Sequence, residues 1–126
     1  MDYNPVGWFE IYVDDLVRAS RFYESVLGVS LEVLGDPSDK SIQMMSFPSD
    51  MEKYGATGAL VKMEGFPAGG NSTLIYFACD DCAIEEARVE SAGGRIQRSK
   101  MSIGEYGYVS LAIDTENNMF GLHSLK

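Results

Sequence analysis

One pattern that occurs twice constrains this chain most. Residues 8–28, WFEIYVDDLVRASRFYESVLG, return in weakened form as residues 74–94, LIYFACDDCAIEEARVESAGG. Each copy opens with about seven strand-like residues, reaches a double aspartate (Asp14-Asp15, then Asp80-Asp81), continues as an amphipathic helix and stops at glycine (Gly28, then Gly93-Gly94). The offset between the aspartate pairs, 80 − 14 = 66 residues, is about half of the 126-residue chain. A βα unit used twice predicts two similar halves about a pseudo-twofold axis, with a cleft between them suited to a small ligand.

Side-chain alternation supports the repeat. In a strand over residues 6–13, Phe9, Ile11 and Val13 alternate with Trp8, Glu10 and Tyr12, so that one face is wholly apolar. The following helix carries Leu16, Ala19, Phe22, Tyr23, Val26 and Leu27 at helical spacing, a stripe that covers that face. Further strands are predicted over 30–34, 41–47 and 58–64, with a looser segment at 48–55 and a glycine-rich linker, GFPAGGNS, at 65–72. After the second βα unit come strands over 95–98, 106–113 and 118–124, the last two joined by a tight turn at 114–117. Each half therefore reads β-α-β-β-β, giving one domain with modules at about 4–64 and 73–126.

Composition narrows the function classes. A formal net charge of −9 opposes the phosphate contacts that dominate nucleic-acid binding and opposes anionic membranes, while it leaves neutral or cationic ligands open. No apolar run approaches the roughly 18 residues of a membrane span, and the start MDYNPVGW lacks a signal peptide's basic and apolar regions, so a cytoplasmic protein is expected. Cys79 and Cys82 form a C-x-x-C, but the chain has no second pair and only one histidine, which leaves a structural zinc short of ligands. The two cysteines read as inert buried groups, with redox chemistry as the alternative.

The paired βαβββ pattern, the D-D-L-x-R-A-x-x-F-Y-x-x-x-L-G run and the D-x-x-x-N hairpin before the last strand resemble the vicinal oxygen chelate superfamily, which includes lactoylglutathione lyases, bleomycin-resistance proteins and extradiol dioxygenases. GALVKMEG, GEYGYVSLAIDTENN and MFGLHS extend the resemblance to small glyoxalase-like proteins and to nearly the whole chain. It implies an α+β fold in which two βαβββ modules pair into curved mixed sheets around a cleft. It also implies metal-ligand positions at Trp8, Leu74, Gly121 and the strand around Ala59 to Lys62, none of which carries a histidine or carboxylate. No metal and no cofactor is therefore expected. Extradiol dioxygenase chemistry is excluded, and the usual metal-dependent lyase mechanism is disfavoured.

The candidate site is what remains on the inward face. Trp8, Glu10, Tyr12, Leu74, Tyr76, Tyr108, Gly121 and His123 are expected to line the cleft, with Tyr106 beside them. Glu10 and His123 read either as a metal-free acid/base pair or as structural groups, Glu10 bonded to a tyrosine and His123 facing solvent. The leading functional reading is a homodimer that binds an aromatic or cationic small molecule. A lyase or isomerase, by Glu10/His123 chemistry or by metal on atypical ligands, is the alternative, and a non-catalytic structural dimer subunit is the third.

Overall fold

The computed structural model describes residues 4–126; Met1–Tyr3, the beginning of the stretch searched for an export signal, lie outside the described residues. The first module runs β1 (Phe9–Tyr12), α1 (Leu16–Leu27), β2 (Glu32–Leu34), β3 (Ile42–Ser46) and β4 (Gly58–Met63). The second runs β5 (Tyr76–Ala78), α2 (Cys82–Val89), β6 (Arg95–Ser102), a single 3-10 turn (Gly104–Tyr106), β7 (Tyr108–Ile113) and β8 (Met119–Ser124). Each module forms one four-stranded mixed sheet, in the orders β1-β4-β3-β2 and β5-β8-β7-β6. In both, the first strand runs parallel to the last and the other pairs are antiparallel. The α+β class and the paired βαβββ architecture are as expected.

The double aspartates start both helices. Asp15 accepts from the Arg18 amide at 3.0 Å and Asp81 from the Ala83 amide at 3.0 Å, each satisfying a helix donor that has no partner within the helix. Gly28 ends α1 in the left-handed conformation (φ 68°) with its amide on the Glu24 carbonyl, a geometry that L side chains disfavour. The predicted edges were generous in most places. Ladder pairing starts only at Phe9, where Gly58 lies opposite in β4. β6 extends to Ser102 rather than ending near 98, because β7 continues to pair with it through two register shifts. Residues 48–55 contain no helix or strand, with turns and bends at 51–55.

The alternation separates the two faces of each sheet. Phe9, Ile11 and Val13 with Leu60, and Phe77 and Cys79 with Phe120 and Leu122, join the apolar stripes of both helices in one core. Six aromatic rings tie the modules together there: Phe9, Phe22, Tyr23 and Phe47 from the first meet Phe77 and Phe120 from the second at centroid separations of 5.4 to 5.9 Å. Such edge and tilted contacts add to simple area burial. Lys100 pairs with Asp81 at 2.8 Å and lies 4.7 Å above the centre of the Tyr108 ring. Among the described residues no helix is long and apolar enough to cross a membrane.

Candidate functional site

The site is positioned by the hairpin that closes the second module. Asp114 Oδ1 accepts from the amides of Glu116 and Asn118, fixing a tight turn in which Asn117 adopts φ 66°. Its other oxygen accepts the buried Tyr23 hydroxyl at 2.6 Å, across the module boundary. Burial pushes the Asp114 carboxyl above the ordinary aspartate range despite these donors, and burial followed by the Asp114 charge pushes the Tyr23 phenol well up. Tyr23 is thus held as a donor.

Glu116, two residues on, reaches the start of α1. Its oxygens accept from the amides of Asp14 and Asp15, from Nε and Nη2 of Arg18, and from the Thr115 hydroxyl. Burial by itself raises this carboxyl, but the Arg18 guanidinium, the Asp15 amide and Thr115 outweigh burial and hold it below the usual glutamate range. Asn118 completes the clamp: its Nδ2 donates to the Tyr12 carbonyl, and its Oδ1 accepts from the Gly69 amide. One five-residue turn therefore binds the end of β1, the start of α1 and the linker.

Beside this clamp, where β1 and β5 come together, is a cavity of about 400 Å³. Its deep wall includes the buried Ile11, Tyr23 and Phe120, and its rim carries Glu10, Tyr12 and the linker residue Phe66. Phe66 lies 5.7 Å from Tyr12, ring centre to ring centre. Asn71 pins the far end of the linker, donating to the Thr73 and Met119 carbonyls and accepting from the Met119 amide. Concave, mostly apolar walls with a few polar groups are the usual form of a small-molecule site.

The structure distributes the expected site residues unevenly. Glu10 and Tyr12 line this cavity; Leu74 lines a shallower depression on the other side of the linker. Trp8 adjoins the rim, since its Nε1 donates to Glu10 at 3.3 Å, while the Tyr12 hydroxyl donates to the other Glu10 oxygen at 2.9 Å. That bond, more than burial, raises the Tyr12 phenol above its ordinary value. Tyr76 lies half-exposed across Gly121, where a β-carbon would come within 2.3 Å of the ring. His123 Nε2 donates to the Tyr106 carbonyl at 2.7 Å. The hydrogen bonds of Glu10 and His123 thus go to different partners and do not join the two residues. Tyr108 packs against the helix-covered core, one residue out of phase with Val109, which pairs with His123.

Linker residues Phe66 and Asn71, and Tyr23 as part of the cavity wall, were not legible as site residues. The linker reads only as glycine-rich punctuation, and Tyr23 belongs to an ordinary apolar helical stripe; the D-x-x-x-N spacing was the available signal for Asn118.

The metal positions that the resemblance implies do not fit a metal. Trp8, Leu74 and Gly121 bring no donor, Ala59 pairs with Glu10 in the ladder, and among the described residues no cluster of His, Cys, Asp or Glu is arranged to hold an ion. Cys79 and Cys82 are unbridged. Burial, then the charge of Glu85, pushes the Cys79 thiol up to about 12, opposite to the shift a reactive cysteine needs.

A family model described as "Glyoxalase/Bleomycin resistance protein/Dioxygenase superfamily" matches residues 6–122. The chain belongs to this superfamily. Among curated proteins, it is 24% identical over 124 residues to the anthracycline biosynthesis protein DnrV of Streptomyces peucetius, covering 92% of this chain but only 45% of that protein. Glyoxalase I from Zea mays superposes with a TM-score of 0.72 at 20% identity, over 96% of this chain and 46% of the maize chain. TnmS3, an antibiotic binding protein from Streptomyces sp. CB03234, superposes with a TM-score of 0.66 at 23% identity and covers 98% of both chains. At these identities the superpositions show the glyoxalase/bleomycin-resistance fold, on which different functions are built.

Proposed function

We propose that this chain binds a small organic molecule with an apolar or aromatic body and a cationic group, held in the cavity between its modules. One observation carries the reading: buried Ile11, Tyr23 and Phe120 form an apolar wall below a rim that bears the Glu10 carboxylate. Trp8 and Tyr12 donate to that carboxylate and Phe66 packs against Tyr12, so aromatic rings, whose faces attract organic cations, border it. The charge of −9 favours approach of the same class of ligand. The antibiotic binding protein TnmS3, which matches this chain over nearly its whole length, supports a binding role. The separate hydrogen-bond partners of Glu10 and His123 give no support to an acid/base pair.

Trp8 is the only tryptophan and touches Glu10, so its fluorescence reports on the rim directly. Benzyltrimethylammonium is expected to change Trp8 emission saturably, phenylacetate is not, and Glu10→Gln is expected to weaken the cation about tenfold, the worth of one charge-assisted contact. Equal affinity for the anion, or silence with both probes, would remove the reading.

The same reading makes the protein a cytoplasmic homodimer. Trp8, Tyr76, Leu34 and Met101 remain 37 to 48% exposed on faces turned away from the helices, and leaving apolar surface wet costs about 25 cal/mol per Å². A twofold partner is the commonest cover, and unbridged cysteines suit a reducing compartment. Sedimentation equilibrium at micromolar concentration is expected to give the mass of two 13.9 kDa chains; a single-chain mass counts against it.

A further inference from the structure

The seam between the modules has a second opening, a cavity of about 480 Å³ flanked by the loop at 48–57. It is the repeat's counterpart of the first. Advancing Phe9, Ile11 and Tyr12 by the 66-residue offset gives Ile75, Phe77 and Ala78. The first cavity is lined by Ile11, Tyr12 and Ile75, and the second by Phe77, Ala78 and Phe9, the same three positions exchanged between modules. The β7–β8 hairpin that borders the first likewise corresponds to the β3–β4 loop that borders the second. A duplicated fold has thus produced two cavities, and sequence divergence has given them different chemistry.

The decisive divergence is on the helices. Ala19 in α1 is fully buried, whereas its counterpart in α2 is Glu85, which lines the second cavity. The Glu85 side chain is only 17% exposed, yet its carboxylate is poorly satisfied. Oε2 lies 3.8 Å from Arg88 Nη2, and the buried Oε1 has no hydrogen-bond partner. Arg88 directs its Nε to the Val26 carbonyl, and the Cys79 thiol, 3.6 Å from the Phe77 carbonyl, also reaches the Glu85 carboxylate, to which it is only a weak donor. A buried carboxylate served only by a weak thiol donor and a guanidinium 3.8 Å away is under-satisfied, and a strong N–H donor in the cavity would complete it. Because the terminal torsion of glutamate is broad, either oxygen can turn to a donor in the cavity. Phe9, Phe47, Phe77, Leu27 and Val29 supply apolar walls around it.

We propose that this second cavity is a separate binding site for a small primary or secondary amine with an aromatic or branched aliphatic body, its N–H groups donated to Glu85. It differs from the rim of Glu10 in requiring N–H donors rather than cationic charge alone. The test is an amide NMR titration of the intact chain with 2-phenylethylammonium. Saturable shifts are expected at Gly55, Ala56 and Ala78, weakened about tenfold by Glu85→Gln and abolished by Val29→Phe, which fills the space. Benzyltrimethylammonium, which has no N–H, is expected to leave those amides in place. Shifts confined to Gly69 and Asn71, loop shifts that survive Glu85→Gln unchanged, or no shifts at all would each overturn the second site. The first cavity is judged separately, by Trp8 emission with the quaternary probe.

Discussion

Glu116→Ala is expected to lower folding stability by about 3 kcal/mol, because it removes an acceptor of charge-assisted hydrogen bonds and leaves buried donors behind. The Glu116 side chain is wholly out of solvent, while that of Arg18 is 53% exposed. Arg18 can turn to water when its partner is lost; the Asp14 and Asp15 amides at the start of α1 cannot readily do so. Glu116→Ala should therefore cost more than Arg18→Ala, and Glu116→Gln should fall between, retaining an acceptor oxygen but no charge. The pH dependence has a definite sign. A carboxyl held below its ordinary value of 4.5 in the fold contributes its full stability above that value and loses it as pH falls through the folded-state pKa. The gap between wild type and Glu116→Gln in urea denaturation is thus expected to be widest at neutral pH and to narrow below 4.5. Asp114, displaced upward, acts in the opposite direction and remains in both proteins. A gap that widens on acidification would refute the role given to Glu116.

Phe120→Ala is expected to cost about 4 kcal/mol, within the range for truncating a fully buried aromatic residue. Phe120 is 1% exposed and its ring meets Phe22, Tyr23 and Phe77, so one substitution removes contacts on both sides of the module boundary. Its place in the cavity wall separates stability from binding. Phe120→Leu keeps most of the volume and should cost less than about 1.5 kcal/mol, while still altering the wall that a ligand meets. Thermal denaturation measures the first effect and the Trp8 titration the second. A loss below 1 kcal/mol for the alanine variant would mean that the two modules do not depend on this shared aromatic cluster.

The repeat, the βαβββ order of each module and the division of each first strand into an apolar and a mixed face were determined by local pattern. Period-two alternation, helical spacing and capping residues all act within about a dozen residues, so they can be read along the chain. At three of the positions where the resemblance implies metal ligands, residues 8, 74 and 121, the sequence places tryptophan, leucine and glycine, whose side chains are not the histidines or carboxylates such sites use. The pairing of Glu10 and His123 was a different kind of inference, from common side-chain direction alone. Direction does not fix distance or choice of partner. Glu10 took the residues two before and two after it, Trp8 and Tyr12, and His123 took a carbonyl from the turn before β7. Similarly, the linker at 65–72 became a cavity wall only because Asp14, Asn118 and Met119, remote in sequence, hold its backbone and Asn71. The two cavities themselves arose where edge strands of different modules meet. Local sequence could predict that such a seam exists; its shape and its unpaired Glu85 oxygen were decided by packing between segments whose separation along the chain carries no record of their separation in space.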